Sequence, residues 1–279
     1  MTNWNGLELP ESYFRDDNVY LIHGDSAEIL ADFPEKCVDL TVTSPPYDNL
    51  RNYNGYKFEF EVIAKELYRT HKDGGVVVWV VGDATIKGSE TGTSFRQALY
   101  FKSVGFNLHD TMIYEKTGAS YPAGSKSNRY SNVFEYMFIL SRSVPKTVHL
   151  LKDKPNKWAG SSTFGVSTNR QRDGSLRSSG KRTVGEFGYR DNIWRIPNGK
   201  GFGGDSDSFS HPASFPETIA QDHILSWSKD NDIILDPFLG SGTTMKMAVR
   251  NNRKCIGIEI SEEYCELATI RYLRSINEQ

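Results

Sequence analysis

The sequence has little that would place it in a membrane or outside a cell. Its longest purely apolar run, Val76 to Val81, is six residues, far short of the roughly 20 that cross a bilayer as a helix. The opening Met1-Thr-Asn-Trp-Asn-Gly has neither a basic start nor an apolar stretch, so no export signal is expected. Cysteine is scarce: Cys37, Cys255 and Cys265 are odd in number and form no Cys-x-x-Cys pair. A reduced, cytoplasmic protein without structural zinc is therefore expected. His109, His211 and His223 are isolated, so no histidine pair has metal-ligand spacing and no metal is expected. No G-x-x-x-x-G-K-[ST] occurs, which removes a triphosphate-binding loop. Net charge is also nearly missing. Lys and Arg number 33 against 35 Asp and Glu, giving −2, which on its face argues against a nucleic-acid partner.

What is present reads as a globular α/β chain. From residue 17 to about 115, short β-rich runs alternate with helical periodicity, the pattern of a mostly parallel sheet. Strands are predicted at Val19–Ile22, Val38–Val42 and Val76–Val81. Phe60, Ile63, Ala64, Leu67 and Tyr68 share one face of a helix that Gly74-Gly75 should end. Leu108–Tyr114 and Val133–Leu140 read as antiparallel neighbours. Residues 141–203 then break the pattern, with 13 Lys+Arg, 4 Asp+Glu and little periodicity, as an insertion outside the sheet would. Regular structure resumes at Ser214-Phe-Pro-Glu217, which fits a capping box. Strands at Ile233–Leu235 and Cys255–Ile260 and helices at Thr243–Arg250 and Glu262–Leu273 follow.

Two constellations carry chemistry. Asp236-Pro-Phe238-Leu-Gly240-Ser-Gly242-Thr243-Thr lies between a predicted strand and a predicted helix, where glycines let the backbone turn tightly and approach a ligand. Glu259 ends the next strand, 19 residues beyond Gly240, about where a ribose-binding carboxylate belongs. A tight turn with a surface Glu is the plainer alternative. Met245 stands where a dinucleotide fingerprint wants a third small residue, so a nucleoside cofactor without phosphates, S-adenosylmethionine, fits better than NAD. The second constellation is Thr43-Ser44-Pro45-Pro46-Tyr47 at a strand's carboxyl end. Consecutive prolines stiffen the loop, and a hydroxyl, a carbonyl and an aromatic face suit a planar ring bearing an amine. A Pro-Pro turn with a packed tyrosine would look the same. Asp83, after the third strand, either reaches the same edge or caps a turn.

Together with His211-Pro-Ala-Ser-Phe215-Pro-Glu217, these motifs resemble the site-specific DNA amino-methyltransferases, in the permuted β-group order with the catalytic motif first. The resemblance covers nearly the whole chain outside 141–203. It implies a Rossmann-like S-adenosylmethionine-dependent methyltransferase sheet with an inserted basic target-recognition region. Residues 1–140 would form the catalytic half, 141–205 the target-recognition insertion and 206–279 the cofactor half. It implies that Asp236, Phe238, Gly240, Gly242 and Thr243 line the cofactor and that Glu259 binds its ribose. Asp25 would face adenine, and His211 to Glu217, with Phe215, would close over the methionine end. Ser44, Pro45, Pro46 and Tyr47 would hold a flipped base. In this family serine at the Ser44 position accompanies cytosine N4, and aspartate there accompanies adenine N6. Cytosine N4 is the expected target and adenine N6 the alternative.

Double-stranded DNA is the implied partner, with Arg170, Arg172, Arg177, Lys181, Arg182, Arg190 and Arg195 expected on it. By the same resemblance a homodimer and a companion restriction endonuclease are implied partners, in a bacterial or phage-encoded cytoplasmic enzyme. An RNA or protein amide methyltransferase would use a similar loop, typically with asparagine at the Ser44 position. A DNA-binding subunit that has lost turnover would keep the same fold. The overall charge now has an explanation: 13 − 4 = +9 in residues 141–203 and −2 − 9 = −11 elsewhere.

Overall fold

The computed structural model describes residues 1–46, 58–117, 128–162, 168–178, 183–197 and 216–277. It divides into two compact units, Met1–His149 with Asn192–Gln279, and Leu150–Asp191. Tyr47, His211, Phe215, Lys181 and Arg182, and Ser214 of the expected capping box, lie outside the described residues.

In the first unit, β1 (Thr2–Trp4) and β2 (Leu7–Leu9) form a hairpin ahead of β3 (Phe14–Arg15) and β4 (Val19–His23). Then come α1 (Ser26–Ala31), β5 (Val38–Thr43), α2 (Phe60–Thr70) and β6 (His71–Val81). A small hairpin, β7 (Thr85–Ile86) and β8 (Ser89–Glu90), leads to α3 (Thr93–Val104), β9 (Asn107–Thr117) and β10 (Phe134–Ser141). The second unit carries β11 (Lys154–Pro155), β12 (Thr168–Arg170), β13 (Leu176–Ser178) and β14 (Phe187–Gly188). The first unit resumes with β15 (Ile193–Pro197), α4 (Glu217–Trp227), β16 (Ile233–Asp236), α5 (Thr243–Arg250), β17 (Lys254–Glu259) and α6 (Glu262–Asn277). No described helix is long and apolar enough to cross a membrane.

One nine-stranded sheet organises this unit, in the order β15-β9-β10-β6-β5-β16-β17-β4-β3. The five strands β6, β5, β16, β17 and β4 are mutually parallel. As expected from the sequence, β10 runs antiparallel to β9, and it pairs antiparallel with β6 as well. The apolar run in β6 is buried on both faces: Val77, Trp79 and Val81 join a core with Ile63, Ala64 and Leu67 of α2 and Phe101 of α3. Val76, Val78 and Val80 point the other way and are equally buried. Helices α1, α2 and α3 pack in series, as do α4, α5 and α6, the helix cover that a central parallel sheet requires.

Three expectations change. Gly74-Gly75 does not end α2, which stops at Thr70; the pair lies inside β6, where the register against β5 shifts. A Cβ at Gly74, where φ is +82°, would sit 2.7 Å from Lys146 Cβ, so the glycine serves a close chain crossing. Pro216 is the N-cap of α4 and makes no side-chain capping bond, while Glu217 is used elsewhere. The basic segment is also not wholly outside the sheet. β15 pairs in parallel with β9, and Trp194 stacks on His223 of α4 with centroids 4.4 Å apart. Its alternating buried Trp194 and Ile196 span only five residues, too few to stand out in a polar stretch. Arg142 likewise belongs to the first unit, donating to the Tyr68, Arg69 and His71 carbonyls at the end of α2.

The second unit is built differently. None of its described residues is buried. Two short ribbons, β11–β14 and β12–β13, are joined by a Ser162–Thr183 bridge. Ion pairs Lys154–Asp191 and Arg190–Asp153 tie its ends together. Its nine Lys+Arg against four Asp+Glu leave +5.

Candidate active site

The five parallel strands deliver the expected residues to one sheet edge. Asp83 follows β6, Ser44 follows β5, Asp236 ends β16, Glu259 ends β17 and Asp25 follows β4. From β5 the chain turns through α2 to β6, whereas from β16 it turns through α5 to β17 on the opposite side. Connections that diverge in this way open a crevice at the carboxyl ends of the strands. Ser44 and Asp236 stand on its two sides.

Hydrogen bonds lock the two sides together. Thr43 Oγ1 donates to Asp236 Oδ1 at 2.7 Å, and Thr244 Oγ1 donates to the Val42 carbonyl at 3.1 Å. Asp236 Oδ1 also accepts from Phe238 N at 3.1 Å. Burial pushes the Asp236 carboxyl up to about 6, while the hydroxyls of Thr43 and Thr244 and the Phe238 N–H pull it back. Its place at a strand end beneath the loop makes it a framework for the site as much as a ligand group.

The glycine turn is held by the second acid. Gly240 N donates to Glu259 Oε2 at 2.7 Å, and Ser261 N donates to Oε1 at 2.9 Å. Burial also raises the Glu259 carboxyl, opposed by these N–H groups. Gly242 has φ +80° and precedes α5; a Cβ there would lie 3.0 Å from Ala268 Cβ, so backbone geometry and packing both require glycine. Thr243 Oγ1 is buried with no hydrogen-bond partner among the described residues, an orphaned hydroxyl beside the turn. The Phe238 ring meets Phe58 and Trp79 edge-on at the border of the core. Asp25 caps α1 through Ala27 N at 2.7 Å, and Gly24 N donates to the Glu259 carbonyl at 2.9 Å. An acid, an unpartnered hydroxyl and an open glycine turn fit a neutral ribose and an amino-acid end better than a pyrophosphate.

On the β5 side of the crevice, Ser44 and Pro46 are half-buried and Pro45 is buried. Asp83 takes the plainer of its two roles: it accepts from Ser94 N at 3.0 Å, Ser94 Oγ and Thr91 Oγ1, fixing the start of α3. The basic residues divide. Arg170, Arg172 and Arg177 are exposed on or beside the β12–β13 ribbon and make no ion pair among the described residues. Arg190 is held by Asp153 within the second unit. Arg195 belongs to β15 of the first unit, where its Nε donates to Glu115 at 2.9 Å.

Thr43 and Thr244 stand in the two sequence motifs, but sequence reasoning missed their framework role, and it missed the grouping of half-buried Glu217 with buried Lys246 and Arg271 behind the glycine turn. Arg271 shares the buried stripe of α6 with Cys265, Ala268, Tyr272 and Ser275. A cation on such a stripe was the readable signal.

Comparison with known proteins agrees with this geometry. Residues 38–270 match the family model described as DNA methylase. The orphan methyltransferase M.BamHII of Bacillus amyloliquefaciens is 61% identical over 84% of this chain and 88% of its own length. The type II methyltransferase M.ScaI of Streptomyces caespitosus is 27% identical over 94% of this chain and 84% of its own. Among solved structures, the TTHA0409 protein of Thermus thermophilus complexed with S-adenosyl-L-methionine superposes with a TM-score of 0.62 at 26% identity, covering 92% of this chain and 93% of that one. The cytosine-N4-specific PvuII DNA methyltransferase shares the fold with a TM-score of 0.65 at 21% identity, covering 94% of each chain. The parallel sheet, its crevice and these relatives converge: the chain belongs to the DNA methylase family, as an S-adenosylmethionine-dependent amino-methyltransferase of the N4-cytosine/N6-adenine type.

Proposed function

We propose that the chain methylates the exocyclic N4 of a cytosine flipped out of duplex DNA. The observation that carries this reading is Ser44-Pro45-Pro46 at the end of β5, facing Asp236 across the point where the strand connections diverge. Glu259, Thr243, Gly240, Gly242, Phe238 and Asp25 would hold S-adenosylmethionine, with His211 and Phe215 contributed by the segment outside the described residues. Bound there, the cofactor supplies a methyl group already activated on a sulfonium. An exocyclic amine is a weak nucleophile because its lone pair is delocalised into the ring. Ser44 and the Pro45 carbonyl would accept its hydrogens and stabilise the positive charge that grows on nitrogen, and Tyr47 would stack on the ring. A stiff Pro-Pro loop keeps those acceptors in place, which is where positioning lowers the barrier. No strong base is needed, since the methylated ammonium is acidic enough to lose its proton afterwards.

The target amine is inaccessible in a stacked duplex, so the base must leave the helix while the rest is gripped. The β12–β13 ribbon suits that task. Asn169 pairs across it with Arg177, and Arg170 pairs with Leu176. Arg170 and Arg177 therefore lie on opposite faces, and a two-stranded ribbon in a major groove can address both walls. Lys181 and Arg182 would add phosphate contacts. Arg190 and Arg195, each already paired with a carboxylate, would contribute less.

Adenine N6 is the second reading, favoured by 26% identity to the DNA adenine methyltransferase YhdJ of Escherichia coli over 92% of this chain. A companion nuclease is not part of the proposal, since M.BamHII is named an orphan methyltransferase. Expression in a methylation-free host, followed by digestion of its DNA to nucleosides and mass analysis, tests the reading. N4-methylcytosine is the expected product. N6-methyladenine would transfer the assignment to the second reading, and unmodified DNA would overturn both.

A further inference from the structure

Behind the glycine turn, two buried cations share one half-buried carboxylate. Glu217 Oε1, at the start of α4, accepts from Lys246 Nζ of α5 at 2.7 Å and lies 3.4 Å from Arg271 Nη2 of α6. The other terminal nitrogen of Arg271, Nη1, donates to the Ser241 carbonyl and to Ser241 Oγ, the latter at 2.9 Å. Arg271 is only 1% exposed and Ser241 3%. We propose that Arg271, oriented by Glu217, is a positioning residue for cofactor binding: it fixes the Ser241 peptide and thereby the shape of Gly240-Ser241-Gly242. This rests on the assignment of that turn to S-adenosylmethionine.

Two considerations lead to this role. Glycines at φ +53° and +80° give the turn little stiffness of its own. It is held in front by Glu259, through Gly240 N, and behind by Arg271, through the Ser241 carbonyl. Glu259 is the group assigned to the ribose, so its hold on Gly240 is contested when ligand binds. The Arg271 hold is not, because a residue this deeply buried cannot reach the ligand. The second consideration is energetic. Removing two cations from water beside a half-buried carboxylate is costly, and such networks are weak sources of stability. What they give is geometry: a guanidinium serves Ser241 and Glu217 together through its fixed fork, which an ammonium cannot do.

The test uses Arg271→Lys, Ser241→Ala and Gly242→Ala in the full chain. Cofactor affinity is measured by calorimetry on the free protein, and KM and kcat by methyl incorporation into DNA. Arg271→Lys should raise both Kd and KM for S-adenosylmethionine by about 10-fold while kcat at saturating cofactor stays within about 3-fold. Ser241→Ala, which removes only the hydroxyl contact, should raise Kd by about 3-fold and checks the role if the lysine variant folds poorly. Both variants binding cofactor like the parent, with nothing but a lower melting temperature, would overturn the positioning role. A fall in kcat at unchanged KM would overturn it equally. Gly242→Ala separates the two readings. If it too binds cofactor normally, the turn itself is misassigned; if it alone loses binding, only the role of Arg271 is wrong.

Discussion

The crevice edge and the Leu150–Asp191 unit are held together by opposite means. At the edge, the polar groups that shape the crevice are buried and engaged: Asp236 by Thr43 and Phe238, Glu259 by Gly240 and Ser261, Ser241 by Arg271. In the second unit no described residue is buried, and short ribbons and exposed ion pairs hold the chain. Chemistry on a small cofactor needs atoms fixed to a fraction of an ångström, which a packed interior provides. Contact with a polyanion needs exposed charge on a surface that can adapt, which a core would only remove from reach. The −2 of the whole chain averages over these two designs.

The comparison breaks most sharply at Asp236. Asp236→Ala leaves the Thr43 hydroxyl and the Phe238 N–H without their acceptor, each at a cost of about 1–3 kcal/mol when buried. Unfolding free energy should fall by about 2–5 kcal/mol in urea denaturation, and methyl transfer should drop below detection. A variant of parental stability would show that the edge is not held together as described.

Next in size is a pH effect confined to the packed unit. Burial raises the Asp236 carboxyl from 3.8 to about 6. The native state thus keeps a proton that the unfolded chain releases, and this group's contribution falls as pH rises from about 4 to 6. His71 is fully buried, with Nδ1 2.6 Å from the Leu67 carbonyl and Nε2 3.1 Å from Thr41 Oγ1. Since a carbonyl can only accept, Nδ1 carries the hydrogen and Nε2 accepts from the hydroxyl. Burial lowers this imidazole from 6.5 to about 4, so its contribution is lost as pH falls from 6.5 to about 4. The two slopes oppose. Between pH 7 and 4, Asp236→Asn should lose about 2 kcal/mol more stability than the parent, and His71→Gln about 3 kcal/mol less. Urea midpoints at several pH values read this directly; parallel profiles for all three proteins would refute it.

Ser44→Ala should lower kcat by about 10–100-fold, the scale of one lost acceptor for developing charge. Calorimetry should find cofactor affinity unchanged. Full turnover would remove Ser44 from the chemistry. The smallest effect on stability belongs to the second unit: Arg170→Ala, Arg172→Ala and Arg177→Ala together should change unfolding free energy by no more than about 0.5 kcal/mol. DNA binding should nevertheless weaken, and the slope of log K against log salt should become shallower by about 3. An unchanged slope would take the ribbon off the DNA.

Much of this was legible along the chain. The uninterrupted Val76–Val81 run announced a strand buried on both faces, and the Asp236-to-Thr244 turn with Glu259 announced two neighbouring strand ends. The errors came where a residue's job depends on a remote neighbour. Gly74-Gly75 looked like a helix stop but accommodates Lys146. Glu217 looked like a cap but meets Lys246 and Arg271. Trp194 looked like part of a basic arm but stacks on His223. Periodicity and local spacing carry no information about such partners, which lie 29 to 72 residues apart.

By itself the sequence determined the elements, the order of the motifs and the uneven placement of charge, because each is written in residues close together along the chain. Only the tertiary structure decided which side chains share the crevice edge, that Asp83 braces α3, and that Arg271 stands behind the glycine turn. The physical reason is that sheet order is not chain order: β5 and β16 are nearly 200 residues apart in sequence, yet they pair as neighbouring parallel strands, and the Thr43–Asp236 hydrogen bond links their ends.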